Sequence, residues 1–129
     1  MKTYQCNHKT DRLCLNKRTK VYIPINYIIL LRGQANYTIF VLSDGREKVV
    51  PHTLRYFEAY LSNLGFQRVH RASIINTKFI QDYQEQNSFL TMNNGMVIPV
   101  SRRRKGAFIK KLDSKVASLL LEPKLYNSL

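Results

Sequence analysis

Two tight-turn signals constrain the fold of this chain more than any other feature of its sequence. Asp44-Gly45 lies between the strand-like segments YTIFVL and REKVVP, and Asn94-Gly95 lies between SFLTM and MVIPV. Asp-Gly and Asn-Gly tolerate the positive φ values that a tight hairpin turn requires. The sequence therefore predicts two antiparallel β-hairpins, one over residues 37–51 and one over residues 88–100.

Extended patterns cover much of the remaining chain. Short apolar segments bounded by polar residues occur at 12–15, 20–24, 27–31, 66–70 and 73–76. Such runs, rich in β-branched and aromatic residues, are typical of strands. We therefore expect a mainly β fold.

Two segments have helical spacing instead. In the first, Thr53 can cap a helix that Gly65 ends. Its apolar stripe, which we expect to be core, consists of Leu54, Phe57, Leu61 and Leu64. The second helix follows Ser101 and ends by Pro123 at the latest. Its apolar residues are Phe108, Ile109, Leu112, Val116 and Leu119.

The charge balance points to a polyanionic partner. The chain has 129 residues, the size of one domain, and its 21 Lys and Arg against 8 Asp and Glu give a net charge of +13. The basic residues are clustered, because residues 101–115 contain seven of them and one acid, Asp113. A solvated surface would usually mix the two signs.

The charges after Ser101 break a local rule of helix formation. Ser101 is a good N-cap, yet the next four residues are all basic: Arg102, Arg103, Arg104 and Lys105. Each positive charge at this end of a helix dipole is unfavourable by about 0.3–1 kcal/mol. A bound phosphate would make these positive charges favourable instead, since free N–H groups and guanidinium groups both coordinate phosphate oxygens. The alternative is that the arginines are solvated and the helix begins later, near Ala107.

A second basic feature is Arg68-Val69-His70-Arg71. Strand alternation would place Arg68 and His70 on one face and Val69 on the inner face. Arg71 must then lie beyond the end of the strand, on a loop, where its guanidinium group can reach a base edge or a phosphate. We expect His70 to have a structural hydrogen-bonding role.

The sequence offers little for metal binding, catalysis or membrane insertion. Cys6, His8 and Cys14 lack a fourth ligand and the paired spacing of zinc sites. The carboxylates are scattered, and no catalytic motif, phosphate-binding glycine loop, helix-turn-helix or RNP1 pattern is present. There is no signal-peptide core, and the longest apolar run is too short to span a bilayer. We predict a cytoplasmic protein that is not an enzyme and binds no metal or cofactor.

Three segments, taken in order, resemble the LytTR DNA-binding domain family. They are QANYTIFVLSDG (34–45), FQRVHRASIINTKFI (66–80) and VIPVSRRR (97–104). The middle segment is similar to the family's F-x-R-V-H-R-S…V-N pattern, and the last is similar to its P-V-S-R ending. The resemblance covers residues 12–112, with 1–11 as an N-terminal extension and 113–129 as a C-terminal helical extension.

The resemblance implies an elongated β-β-β fold of short antiparallel sheets, bound along one side of duplex DNA and reaching the major groove through loops. It implies a bacterial transcription regulator that acts at promoters, often on paired direct repeats. The base-contacting positions carried over from the family are Asn36, Arg71 and Arg102. The residues assigned to DNA phosphate are Arg68, Ser101, Arg103, Arg104 and Lys105.

The sequence departs from the family pattern in places. Ala72 and Ser73 replace a serine and an aromatic residue, and Arg32 replaces an acid. Family members often carry a receiver domain or a membrane segment, and the residues before Arg12 can hold neither. We expect a complete short regulator beginning at Met1 or the output half of a longer protein. It would act as a homodimer on DNA or with a separate sensor partner.

Three functions are open at the level of sequence. The first is sequence-specific binding of double-stranded DNA by a transcription regulator. The alternative is RNA binding, for example by a ribosome-associated factor, because a basic β-rich domain with exposed aromatics suits single-stranded bases. The third is an enzyme acting on nucleic acid, which the scattered carboxylates disfavour.

Overall fold

The computed structural model describes the backbone of residues 6–7 and 12–120, and the side chains of residues 12–112. Within these ranges there are eleven strands and two α-helices. The strands are β1 (Cys6–Asn7), β2 (Arg12–Asn16), β3 (Val21–Pro24), β4 (Ile28–Gln34), β5 (Tyr37–Leu42), β6 (Glu47–Val50), β7 (Phe66–His70), β8 (Ser73–Asn76), β9 (Ile80–Gln84), β10 (Phe89–Met92) and β11 (Val97–Pro99). The helices are α1 (Leu54–Ser62) and α2 (Arg102–Leu120). The predicted mainly β fold with two helices is confirmed.

The strands form three antiparallel sheets. The central sheet has the order β6-β5-β4-β8-β7, and the sheets β1-β2-β3 and β11-β10-β9 have three strands each. In the central sheet, β8 is buried along its whole length and β4 is buried over its first four residues. A strand buried on both faces needs apolar side chains on both, which explains the continuous run IILL in β4.

The two faces of the central sheet have different cores. On one face, Phe40 and Ile74 pack with α1 residues and with side chains of the first sheet such as Leu13. On the other face, Leu30 and Ile75 pack with the third sheet and with Phe108 of α2. The central sheet therefore lies between two covering layers, and the predicted arrangement of short antiparallel sheets is confirmed.

Both predicted hairpins are present. Gly45 has φ +91° and Gly95 has φ +89°, values that favour glycine. The Leu42 N–H donates to the Arg46 carbonyl at 2.9 Å, and the Met92 N–H donates to the Met96 carbonyl at 2.9 Å. Each turn thus closes at the dipeptide that the sequence indicated.

Helix α1 is shorter than its apolar spacing suggested. Leu54 and Phe57 are buried, whereas Leu64 lies beyond the helix and is 39% exposed. The helix ends because Gly65, at φ +91°, turns the chain toward β7. The expectation that Leu64 belongs to the core stripe was wrong. Thr53 occupies the N-cap position, but its side chain makes no capping hydrogen bond.

Helix α2 begins directly after Ser101. The Ser101 hydroxyl oxygen accepts a hydrogen bond from the Arg104 N–H at 3.3 Å, as an N-cap does. Phe108 is buried and meets the Tyr83 ring edge-on, with centroids 5.0 Å apart. This contact fixes α2 against the third sheet. The alternative in which the helix begins near Ala107 was wrong, so the basic residues do occupy its first turn.

Candidate nucleic-acid interface

The residues predicted to contact bases lie at the ends of different elements. Asn36 is in the two-residue turn that joins β4 to β5, and Arg71 is in the turn that joins β7 to β8. Arg102 is the first residue of α2. All three side chains are exposed. Each position therefore leaves a hydrogen-bonding side chain open to a ligand.

Two backbone hydrogen bonds hold these elements side by side. The Gly33 N–H donates to the Ala72 carbonyl at 2.9 Å, which joins the end of β4 to the turn between β7 and β8, called the middle turn below. The Ser101 N–H donates to the Val69 carbonyl at 2.8 Å, which joins the start of α2 to β7. The middle turn is thus adjacent to both of the other segments.

Gly33 permits the close packing of β4 against Leu54 of α1. A Cβ atom at this position would lie 3.1 Å from Cδ1 and Cγ of Leu54 and 3.9 Å from the Cα of Ala72. Leu54 is buried, so it has little room to move aside. A side chain at position 33 would therefore force Leu54 and α1 to shift by a few tenths of an ångström, whereas the distance to Ala72 is an ordinary van der Waals contact.

The turn that presents Asn36 has an unusual backbone. Ala35 adopts a left-handed conformation with φ +54°, which costs energy for a residue with a Cβ. The flanking residues Gln34 and Tyr37 pair directly across the hairpin. The strand pairing therefore holds Ala35 in this conformation and fixes where Asn36 emerges.

The first turn of α2 is strongly basic. It contains no acidic residue, and Arg102 and Arg103 are exposed. Arg104 is half-buried and lines a cleft together with Glu58 and Arg68. The first N–H groups of a helix have no acceptor within the helix, so they add donors to the guanidinium groups. This end of α2 has the charge and the donors that phosphate requires.

Lys105 and Ser101 differ from the exposed arginines in their contacts. The Lys105 ammonium group donates to the Glu85 carbonyl at 3.3 Å, which leaves other protons of the group available. The Ser101 hydroxyl oxygen accepts from the Arg104 N–H, so its own proton can still be donated. Both residues remain suited to the phosphate contact predicted for them.

Arg68 lies in a different environment from the one the sequence suggested. Its Nη1 is 2.8 Å from Oε1 of Glu58, its Nε donates to the His70 carbonyl at 3.3 Å, and its Nη2 donates to the Arg71 carbonyl at 2.5 Å. The side chain is 15% exposed. The geometry does not favour the predicted phosphate contact, because the guanidinium group is already directed at three oxygens within the protein.

His70 also contributes to the middle turn. Its Nδ1 accepts a hydrogen bond from the Ala72 N–H at 3.1 Å. From the sequence we expected His70 to have a structural hydrogen-bonding role, and this contact is such a role. Because the Ala72 carbonyl also accepts from the Gly33 N–H, the N–H and the carbonyl of Ala72 are both hydrogen-bonded.

Sequence reasoning missed Arg55. This exposed residue is in the first turn of α1 and lines an open cleft with Tyr37, Thr53 and Arg71. The cleft runs between the turn carrying Asn36 and the turn carrying Arg71. The available signal was one basic residue in the first turn of a helix, which is weaker than the four that follow Ser101.

The described part of the chain offers neither a metal-binding cluster nor a membrane-spanning helix. Among the side chains of residues 12–112, no cluster of three His, Cys, Asp or Glu could hold a metal ion. Over the same residues, no helix has both the length and the apolar character needed to cross a membrane. Of the three residues weighed as zinc ligands, Cys14 is buried and His8 lies outside the described residues.

Comparison with known proteins identifies the family. The family model described as the LytTr DNA-binding domain matches residues 18–113. A solved structure, the LytTr DNA-binding domain of a Bacillus cereus protein described as a methyl-accepting/DNA response regulator, aligns with a TM-score of 0.64 and 27% identity, over 71% of this chain and 86% of that one. The comparison with curated proteins gave no significant match. This chain belongs to the LytTr DNA-binding domain family.

Proposed function

We propose that this protein regulates transcription by binding specific sequences of double-stranded DNA, with loop side chains that reach base edges in the major groove. DNA binding itself follows from membership of the family. The proposed base contacts are made by Asn36, Arg71 and Arg102. Arginine can bind O6 and N7 of guanine in bidentate fashion, and asparagine can bind N6 and N7 of adenine.

The observation that carries this proposal is the arrangement of the three segments. Each segment exposes one of these side chains, and the Gly33–Ala72 and Ser101–Val69 hydrogen bonds keep the segments adjacent. Exposed groups on rigid, neighbouring elements can meet successive base pairs with little loss of conformational entropy.

Phosphate contacts would supply most of the affinity. We assign them to Ser101, Arg103, Arg104 and Lys105 around the start of α2, and add Arg55 at the edge of the cleft. Basic side chains that displace counterions from DNA stabilise the complex on any sequence. The net charge of +13 supports this sequence-independent part of binding.

The RNA-binding alternative has no support from the family match. The described side chains suit base edges of a duplex, since the residues at the three positions are hydrogen-bonding groups and not stacking aromatics. We therefore keep RNA only as a competitor in the experiment below.

The proposal extends to the arrangement of copies on DNA. We infer that the protein binds paired direct repeats at promoters in the bacterial cytoplasm, as a homodimer on DNA or with a separate sensor partner. The support is the resemblance to the family. If two copies occupy the same face of the duplex, their half-sites should be about 10–10.5 base pairs apart, centre to centre, or a multiple of this spacing. Footprinting on sites with altered spacing tests this part.

A competition experiment tests the proposed function. A duplex obtained by in-vitro selection is labelled and displaced by the same duplex, by a scrambled duplex of equal composition, or by single-stranded RNA. We expect the selected duplex to compete at least about 10³-fold better than the scrambled one at physiological salt. Equal competition by the scrambled duplex would contradict base contacts, and stronger competition by RNA would favour the alternative.

A further inference from the structure

The guanidinium group of Arg68 connects helix α1 to the turn that carries Arg71. Arg68 lies on β7, and its partners are the Glu58 carboxylate on α1 and the carbonyl oxygens of His70 and Arg71. We call this set of contacts the Arg68 clamp. It involves all three guanidinium nitrogens, each with its own oxygen.

We propose that the Arg68 clamp positions Arg71 for its base contact, so that Arg68 acts on sequence preference without touching DNA. This inference rests on the function proposed above. The clamp fixes the carbonyl oxygens of residues 70 and 71, while His70 Nδ1 and the Gly33 N–H bind the N–H and the carbonyl of Ala72. The backbone on both sides of the Arg71 side chain is therefore held before DNA arrives.

The chemistry of the clamp requires an arginine. A planar guanidinium group presents donors in several fixed directions, whereas the ammonium group of lysine is a compact point charge. The Nη1 contact with Glu58 at 2.8 Å and the Nη2 contact with the Arg71 carbonyl at 2.5 Å lie on different branches of the fork. A lysine could keep the charge, but it could not hold α1 and the turn together.

The clamp also distinguishes the two arginines at this turn, Arg68 and Arg71. Arg68 is paired with Glu58, whereas Arg71 is exposed and has no carboxylate partner among the described side chains. The paired arginine thus serves the backbone of the turn, and the unpaired one remains available for DNA. Holding the turn in advance lowers the ordering cost of binding, which increases affinity for the sequence that Arg71 fits.

Two substitutions test the clamp, with one matched control. Arg68→Lys keeps the charge, and Glu58→Gln keeps the shape of the acceptor while removing its charge. The control is Arg46→Lys, because the Arg46 Nε lies 2.8 Å from Oδ2 of Asp44 in the turn at the opposite end of β5 from Asn36. All three proteins are compared with the unmodified chain in the free state and with DNA.

Hydrogen exchange of the free protein measures the clamp directly. We expect Arg68→Lys to increase amide exchange at Ala72 and Gly33 by roughly tenfold or more, the effect of losing charge-assisted hydrogen bonds to the turn. Glu58→Gln should increase it less, and Arg46→Lys should leave it unchanged. Unchanged exchange at Ala72 and Gly33 in Arg68→Lys would overturn the proposal.

DNA binding then measures the consequence. Arg68→Lys should weaken binding to the selected duplex by about tenfold, while its affinity for a scrambled duplex should stay within about twofold. In the Arg71→Ala background, Arg68→Lys should weaken binding little further, since the effects of substitutions in residues that act together are not additive. Arg46→Lys should match the unmodified protein on both duplexes.

The other outcomes distinguish the alternatives. Equal losses on both duplexes, with a smaller salt dependence, would mean that Arg68 contacts phosphate itself and would overturn the positioning role. Full additivity with Arg71→Ala would overturn it as well. If the unmodified protein prefers no DNA sequence, the proposed function is wrong, and the positioning role of Arg68 is then wrong as well. The exchange result would still show whether the clamp holds the turn.

Discussion

The arginines of this protein differ from one another in their partners. Arg46 and Arg68 are each 2.8 Å from a carboxylate, that of Asp44 and that of Glu58. Arg71 and Arg102 are exposed and form no ion pair with the side chains of residues 12–112. An arginine without a carboxylate partner keeps its full fork for a ligand. The absence of a carboxylate partner among the described side chains therefore identifies the arginines suited to DNA better than positive charge alone.

Single substitutions should separate base contacts from phosphate contacts. Arg71→Ala and Arg102→Ala should each weaken binding to one tight site by about 1–3 kcal/mol and lower the preference over scrambled duplex, because a bidentate base contact is lost. Titration of both duplexes at several salt concentrations measures these effects.

Arg103→Ala is the matched control on the same turn of α2. It should weaken binding to the selected and the scrambled duplex alike and reduce the slope of log affinity against log salt by about one. A loss confined to the selected duplex would instead assign a base contact to Arg103. Equal losses on both duplexes for Arg71→Ala would remove it from the base-contacting set.

At the scale of elements, the start of α2 combines folding and binding in one place. An acid at the N-cap interacts favourably with the helix dipole and with the basic residues beside it, but it repels phosphate. Ser101→Asp should therefore raise the free energy of unfolding by about 0.3–1 kcal/mol and weaken binding to every duplex. Denaturant unfolding and a binding titration on the same sample measure the two effects.

Ser101→Ala controls for the cap. It should lower the free energy of unfolding by about 0.5–2 kcal/mol, since the hydrogen bond to the Arg104 N–H is lost. If Ser101→Asp bound DNA as tightly as the unmodified protein, phosphate would not lie at this helix end.

The contact between α2 and the third sheet predicts a response to alkaline pH. Burial, with a smaller contribution from the negative charge of Glu85, raises the pKa of Tyr83 above its ordinary value of 10.0. The folded state therefore disfavours the ionised phenol. The associated stability is complete below the unfolded pKa and is lost as the pH rises through the higher folded pKa.

Tyr83→Phe should remove this pH dependence while keeping the ring contact with Phe108. At neutral pH the change should be close to neutral, because the buried Tyr83 hydroxyl has no hydrogen-bond partner among the described residues. Above about pH 10 the variant should lose less stability than the unmodified protein. Urea unfolding at neutral and alkaline pH measures this difference, and identical losses in the two proteins would contradict it.

At the scale of the whole molecule, local turn chemistry could be predicted from the sequence, but the pairing of distant strands could not. Gly45 and Gly95 mark their hairpins because a positive φ is a property of a few neighbouring residues. The pairing of β4 with β8 joins residues more than 40 positions apart, such as Leu30 and Ile75. Strand β9 was not predicted, since most of its residues are exposed or half-buried and lack a clear apolar pattern.

The candidate site could also be predicted only in part from the sequence. Family resemblance gave Asn36, Arg71 and Arg102, and the structure adds that their segments are adjacent. The partners of Arg68 could not be foreseen, because Glu58 belongs to another element and comes close only after folding. Arg55 has only a weak signal in the sequence, one basic residue in the first turn of α1, and its cleft forms only when α1 packs beside two turns.

Parallel in-vitro selection tests whether Asn36, Arg71 and Arg102 contact bases. Random duplexes are selected with the unmodified protein and, separately, with Asn36→Ala, Arg71→Ala and Arg102→Ala. We expect one defined motif for the unmodified protein and, for each variant, loss of preference at a different base position of that motif. The absence of a motif, or the same complete motif with all four proteins, would contradict base contact by these residues.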